Sequence, residues 1–305
     1  MLRDIFTPGF LRRLECLKID VKRVHLSTRK GGYESVNKKG TSLEFAEYQE
    51  YNPGDDFRYI DWNLYGRLDK LLVKTFKEEV ELSVHILLDV SLSMLYPETD
   101  KKLEYSKKIA LVMAYIGLSS QNSVRVAVVN TLSPGPASRY TLQTPFFQRL
   151  NGIFRIKDFL DGVEIGGEAD IEGFMSRYIY ENKGRGGSVI IISDFMVPPA
   201  SYKRGIDILR FKNYDIKVIQ VLGAEELDPF KNIRSGEIVD VETKERRVVK
   251  VTGSLKKGYH KLLNEHNQEL SNYCRTNRMA YTLARTDMGI EGLILKEFPR
   301  MGFVR

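Results

Sequence analysis

Three observations predict an α/β fold, built on a doubly wound, mostly parallel sheet with helices on both faces. Short, largely apolar runs recur at 84–88, 124–129, 189–192 and 216–222. Runs without polar alternation suit strands buried on both faces. Helical stretches alternate with these runs, and that alternation implies crossovers between parallel strands. The stretch 83–94 ends its apolar run in Asp89, with Ser91 and Ser93 at alternate positions after it. Ligands of open α/β sheets bind beyond the carboxyl ends of the strands. One carboxylate and two hydroxyls there form a hard-oxygen surface suited to Mg²⁺ or Mn²⁺. The same residues also suit the plain capping of a helix start.

Taken in order, residues 8–17 read as a partly amphipathic helix, with Phe10, Leu11, Leu14 and Leu17 on one side. The Lys-, Ser- and Gly-rich residues 27–40 read as an exposed loop. A strand at 42–51 leads to the turn Asn52-Pro53-Gly54-Asp55, where Pro presets φ and Gly supplies φ > 0. Trp62, the only tryptophan, is expected in the interior of this part. A strand at 71–76 precedes the central run, and 103–118, apolar on most faces, is a helix buried against the sheet. A strand at 124–129, a turn at 133–136, an edge strand at 139–143 and a helix at 146–159 follow. Then come a helix opening after Gly166 and ending at Tyr180, a strand at 188–193, a helix at 206–211 and a strand at 216–222. Two β runs within 235–251, flanking 242–245, predict a hairpin. A long helix at 255–275, a strand at 280–284 and a helix at 290–297 close the chain.

Composition narrows the function classes. The 305 residues leave room for one large domain, or one domain with an appendage. No apolar run approaches the roughly 20 residues of a membrane span, and residues 1–8 lack a signal-peptide core. A cytoplasmic location is the expectation. Cys16 and Cys274 are too few for a disulfide framework or a zinc site. The net charge of +7 comes largely from short basic pairs, which suit a solvated surface. The pairs before residue 40 are the ones that would serve nucleic acid or an anionic membrane.

The stretch between the first helix and the central strand carries a resemblance. Glu44-Phe45-Ala46-Glu47-Tyr48, Tyr51-Asn52-Pro53-Gly54-Asp55-Asp56, Arg58, Ile60-Asp61-Trp62, Arg67 and Val73-Lys74 stand in this order. The order is similar to that of the domain-of-unknown-function 58 family, in which such a block precedes a von Willebrand A-like domain opening with Asp-x-Ser-x-Ser. The resemblance covers nearly the whole chain. It implies an N-terminal helix and small β subdomain over 1–80, then a von Willebrand A-like domain over 81–305 with the hairpin inserted. Physically, Asp55, Asp56 and Arg58 read as an ion-paired structural turn.

The resemblance also implies a metal-ion-dependent adhesion site. Its first loop corresponds to Asp89, Ser91 and Ser93, and its third-loop aspartate to Asp194, which follows the run 189–193. Ala169 stands where the family has a threonine, and alanine offers no ligand atom. Weak divalent binding is therefore expected. Glu168 and Asp170 either supply a carboxylate in its place or cap the helix that begins there. Family members are often encoded beside MoxR-type AAA+ ATPases, so the implied partners are such an ATPase and a client protein.

Catalytic patterns are not found in the sequence. Ser91 stands where a haloacid-dehalogenase-type phosphatase needs its second aspartate, and no phosphate loop, Gly-x-Ser-x-Gly or His-Glu-x-x-His occurs. His85 falls inside the apolar run and reads as a core histidine, while His260 and His266 do not share a helix face. The expectation is a non-enzymatic protein-binding adaptor. The alternative is a basic peripheral protein acting through its N-terminal region.

Overall fold

The computed structural model describes residues 6–21, 44–77, 82–129, 141–163, 166, 170–182, 186–231, 235–239 and 246–305. The loop expected at 27–40, the turns expected at 133–136 and 242–245, most of the basic pairs before residue 40, and Glu168 with Ala169 lie outside these residues. Contacts divide the chain into a large unit, Met1–Val24 with Leu82–Arg305, and a small unit, His25–Glu81.

Helix α1 (Pro8–Glu15) starts at Thr7, whose hydroxyl accepts the Phe10 N–H, with Pro8 at the first position where its fixed φ suits a helix. Its buried residues, Phe10 and Leu14, join the core of the large unit together with Ile19. Ile19 also forms an antiparallel bridge to Val304, so α1 and the chain end close on the same core.

In the small unit, β1 (Glu44–Glu50) pairs antiparallel with β2 (Leu72–Lys77). The turn between them forms as expected: the Asp55 N–H donates to the Asn52 carbonyl at 3.0 Å, and Gly54 takes φ 113°. Arg58 grips the Asp56 carboxylate at 2.6 Å and holds its pKa below the ordinary range. The helix α2 (Trp62–Leu68), which periodicity did not predict, is set by its cap. The Asp61 carboxylate accepts the N–H groups of Asn63 and Leu64. Asp61 takes the buried place and also meets Tyr48 at 3.0 Å and Lys74 at 2.9 Å. Trp62, one helical step on, points to solvent. It is 62% exposed, against expectation, and rests edge-on against Tyr65.

The large unit continues with β3 (Ser83–Asp89), α3 (Lys102–Ser119), β4 (Ser123–Val129), α4 (Gly152–Asp161), α5 (Ile171–Glu181) and β5 (Ser188–Ser193). After these come α6 (Pro199–Phe211), β6 (Asp215–Leu222), the single turn α7 (Ala224–Leu227), the hairpin β7 (Ser235–Val239) and β8 (Arg246–Lys250), α8 (Gly253–Thr276) and β9 (Ala280–Arg285). The closing helix expected at 290–297 forms and runs on to Met301, as contiguous segments Ile290–Gly292, Leu293–Glu297 (a π turn) and Phe298–Met301. The sheet order is β4-β3-β5-β6-β9, and every pairing in it is parallel.

Helix α4 begins six residues later than its apolar content suggested. Phe147 forms an antiparallel bridge to Val124, and Gln143 one to Ala127, so this stretch runs irregularly beside β4 first. Helix α6 begins earlier than expected, because Pro199 opens it.

Residues of β3 alternate between two cores. Val84, Ile86 and Leu88 pack with α1, α3 and α4, and Leu87 packs with α5 and α6. With both faces covered, an unbroken apolar run is what the strand requires. At the start of β5, Gly187 has φ 159°, and a Cβ there would lie 2.0 Å from the Ser83 carbonyl oxygen. The entry of β5 beside β3 depends on that glycine.

Candidate functional site

The chain leaves β3 for β4 on one side of the sheet and later enters β5 on the other. The carboxyl ends of β3 and β5 therefore flank the switch point, where doubly wound sheets place their sites. Asp89 ends β3, and Ser193 ends β5 with Asp194 next in the chain.

Asp89 is fully buried. Its Oδ1 accepts the Ser91 N–H at 2.9 Å, and its Oδ2 accepts the Ser193 hydroxyl at 2.6 Å. Burial, and then the charge of Asp194, push the Asp89 carboxyl well above the ordinary carboxylate range. The Ser91 and Ser93 hydroxyls lie 3.0 Å apart and share a hydrogen bond. Asp194, also buried, accepts the Met196 N–H at 3.1 Å on Oδ1, and its carbonyl accepts from the Gln220 amide. The structure thus brings Asp89, Ser91, Ser93 and Asp194 to the carboxyl ends of two adjacent strands, where the resemblance would group them.

It also places there two residues that sequence reasoning missed. Lys102, the first residue of α3, is fully buried, and its ammonium donates to Asp194 Oδ2 at 3.1 Å and to Glu226 Oε1. The second Glu226 oxygen accepts the Gly223 N–H at 2.8 Å. Burial raises the Glu226 pKa, against the pull of Lys102. In sequence Lys102 sits in the charged run Asp100-Lys101-Lys102, which reads as solvated surface. The available signal was its position at the head of a largely apolar helix.

The backbone beside both charged groups is unusual. Lys101 has φ 48° and Phe195 has φ 55°, so non-glycine residues in the left-handed region adjoin Lys102 and Asp194. Such residues persist where the surroundings hold them, often at functional sites. Phe195 is held by its N–H to the Ser193 hydroxyl, by its carbonyl on His266 Nε2 at 2.9 Å, and by its ring against Tyr202.

Asp170, one of the two alternative carboxylates, caps α5 through the Gly173 N–H at 2.8 Å and is half-exposed. His85 is buried with its Nδ1 on the Tyr178 hydroxyl at 2.6 Å, which makes it a core residue as expected. Among the described residues, no three or more His, Cys, Asp or Glu side chains gather to hold a metal ion. The oxygen donors at the strand ends are two carboxylates with two hydroxyls. No helix among the described residues is long and apolar enough to cross a membrane.

Comparison with curated proteins finds no match. Among solved structures, the chain is similar to the conserved hypothetical protein BatB from Bacteroides thetaiotaomicron, at 17% identity over 72% of this chain and 98% of that one, with a TM-score of 0.41. It is also similar to a von Willebrand factor type A protein from Catenulispora acidiphila, at 14% identity over 76% of this chain and 44% of that one, with a TM-score of 0.40. An aerotolerance-related membrane protein from Bacteroides fragilis matches at 13% identity over 72% of this chain and 98% of that one, with a TM-score of 0.40. The family model described as "Protein of unknown function DUF58" matches residues 47–269, from the small unit through the strand-end site and into α8, and the chain belongs to that family.

Proposed function

We propose that the protein is a non-enzymatic protein-binding adaptor that meets an acidic group of its partner through a divalent cation held by Asp89, Ser91, Ser93 and Asp194. The observation that carries this reading is a charge imbalance. Two carboxylates, Asp194 and Glu226, share the single ammonium of Lys102, while the buried carboxylate of Asp89 meets only the Ser91 N–H and the Ser193 hydroxyl. Unbalanced charge is costly in an interior, and the raised pKa of Asp89 expresses that cost. The donors suit the ion: all are hard oxygens, and two are neutral hydroxyls 3.0 Å apart. A Mg²⁺ or Mn²⁺ ion bound there balances the two carboxylates and keeps open coordination positions, one of which a partner's carboxylate can fill. Ser93, only partly buried, marks the side open to that partner.

With Ala169 in the threonine's place the affinity is weak, and Asp170, engaged as a cap, does not replace it. The partner that the family resemblance supports is a MoxR-type AAA+ ATPase acting with a client protein in the cytoplasm. The alternative basic surface before residue 40 rests mostly on residues outside those described, and a steep salt dependence of binding would favour it.

Capture of a MoxR-type ATPase from the same organism, by immobilised protein in Mg²⁺ and in EDTA, tests the reading. The double substitution Ser91→Ala with Ser93→Ala is expected to weaken capture in Mg²⁺ about tenfold or more while circular dichroism stays unchanged. A well-folded double variant that captures the ATPase as wild type does would sink the metal-bridged adaptor.

A further inference from the structure

The cluster holds a cation of its own, and its geometry bears on how any second cation enters. Lys102 is fully buried and divides its ammonium between two carboxylates from different loops, Asp194 after β5 and Glu226 in α7. Only one of these, Asp194, belongs to the oxygen set that faces Asp89. Glu226 is held separately: its free oxygen takes the Gly223 N–H, and its carbonyl accepts the Tyr259 hydroxyl at 2.7 Å. Just before α3, Asp100 accepts the Glu225 N–H at 2.9 Å, which ties the approach to Lys102 to the same turn. The lysine therefore has a partner on each side, and that second partner is well anchored.

From this arrangement we infer that Lys102 is a resident counter-cation that competes with a divalent ion for Asp194 and is handed to Glu226 when the ion binds. The inference rests on the metal-bridged reading of the preceding subsection and adds what controls it. The charges close in the loaded arrangement. Lys102 with Glu226 forms one neutral pair, and a divalent ion with Asp89 and Asp194 forms a neutral group. In the lysine-only arrangement one ammonium is shared by Asp194 and Glu226, which leaves that group one negative charge, and Asp89 meets an N–H and a hydroxyl instead of a cation. Two cations within a few ångströms repel strongly in a poorly screened interior, so Lys102 must leave Asp194 for the ion to stay. Low affinity then has a second source besides Ala169. Occupancy of the site is also coupled to the turn Ala224–Leu227 through Glu226, because coupling between two sites is reciprocal.

The test is a Mn²⁺ titration by electron paramagnetic resonance on the full chain as wild type, Lys102→Met, and Lys102→Met with Asp89→Asn. Methionine keeps the length and apolar stem of lysine and removes the charge. Lys102→Met is expected to bind Mn²⁺ at least about tenfold more tightly than wild type. Its melting temperature is expected to rise on adding Mg²⁺ by more than that of wild type, since the ion restores charge balance. The added Asp89→Asn is expected to abolish both effects. Where Lys102→Met does not fold without metal, Lys102→Gln in saturating Mg²⁺ gives the same comparison. If wild type and Lys102→Met bind Mn²⁺ equally and both lose it with Asp89→Asn, the lysine does not compete and only this inference falls. If the tight binding survives Asp89→Asn, or no variant binds Mn²⁺, the site is wrong and both readings fall.

Discussion

Asp61 shows how a single side chain organises the small unit. Its carboxylate caps α2, accepts from Tyr48 and pairs with Lys74, and these contacts, Lys74 first and Tyr48 next, lower its pKa to about 2. A depressed carboxylate stabilises the fold above its unfolded pKa, and that contribution is lost as pH falls through the folded value. Local stability near α2 is therefore expected to be complete above about pH 4 and to fade toward pH 2. Trp62, next in the chain and the only tryptophan, reports on it directly. Its fluorescence should hold steady down to pH 4 and change below that. In Asp61→Asn, which retains a capping oxygen but no charge, the low-pH change should vanish. A transition of the same size and midpoint in the variant would remove Asp61 from the account. At the strand-end site the corresponding residue is Asp89, whose pKa is raised first by burial and then by the charge of Asp194.

At the scale of elements, the site exists because two parallel strands end side by side. The register of β3 with β5 runs from Val84 opposite Ser188 to Leu88 opposite Ile192. That pairing brings Asp89 next to Ser193, whose hydroxyl it accepts. The register begins at Gly187, whose backbone passes the Ser83 carbonyl too closely for any side chain. Gly187→Ala is expected to destabilise the protein by more than about 1 kcal/mol, because the new methyl group can be accommodated only by moving one strand against the other. Chemical denaturation checks the size, and Mn²⁺ titration of the folded variant checks whether the strand ends have shifted. A variant as stable as wild type would show that the entry of β5 tolerates a Cβ.

At the scale of the whole chain, one large aromatic residue from each unit can be compared. Phe10 of α1 is fully buried in the core of the large unit, whereas Trp62 of the small unit is mostly exposed. Phe10→Ala is expected to cost roughly 3–5 kcal/mol and to lower the melting temperature by many degrees. Trp62→Ala is expected to stay within about 0.5 kcal/mol of wild type, as exposed substitutions do. Calorimetry on the two variants compares them directly, and equal losses would contradict this division. The exposed tryptophan also changes how the family-typical block is understood. Its buried, ion-paired member is Asp61, not the aromatic residue beside it.

Much of the fold and part of the site were legible from local pattern. The run ending at Asp89, His85 apart, and the run ending at Ser193 are apolar along their middles, because both faces of their strands are covered, and such burial leaves a clear trace. The turn at Asn52-Pro53-Gly54-Asp55 was equally plain, since its residues prescribe their own φ values. Asp89, Ser91 and Ser93 stand out by their spacing at one strand end, a spacing that capping would also explain, and Asp194 was singled out by the family resemblance. The structure alone decided the rest. Helix α2 hangs on a single cap, α4 waits for Phe147 to bridge Val124, and Lys102 reads as one more surface charge until α3 carries it inward. Local sequence records whether a segment is covered, because covering demands apolar residues along its length. It does not record which distant charges meet, because Lys102 finds Asp194 and Glu226 across 92 and 124 residues of chain, through contacts that only the assembled sheet creates.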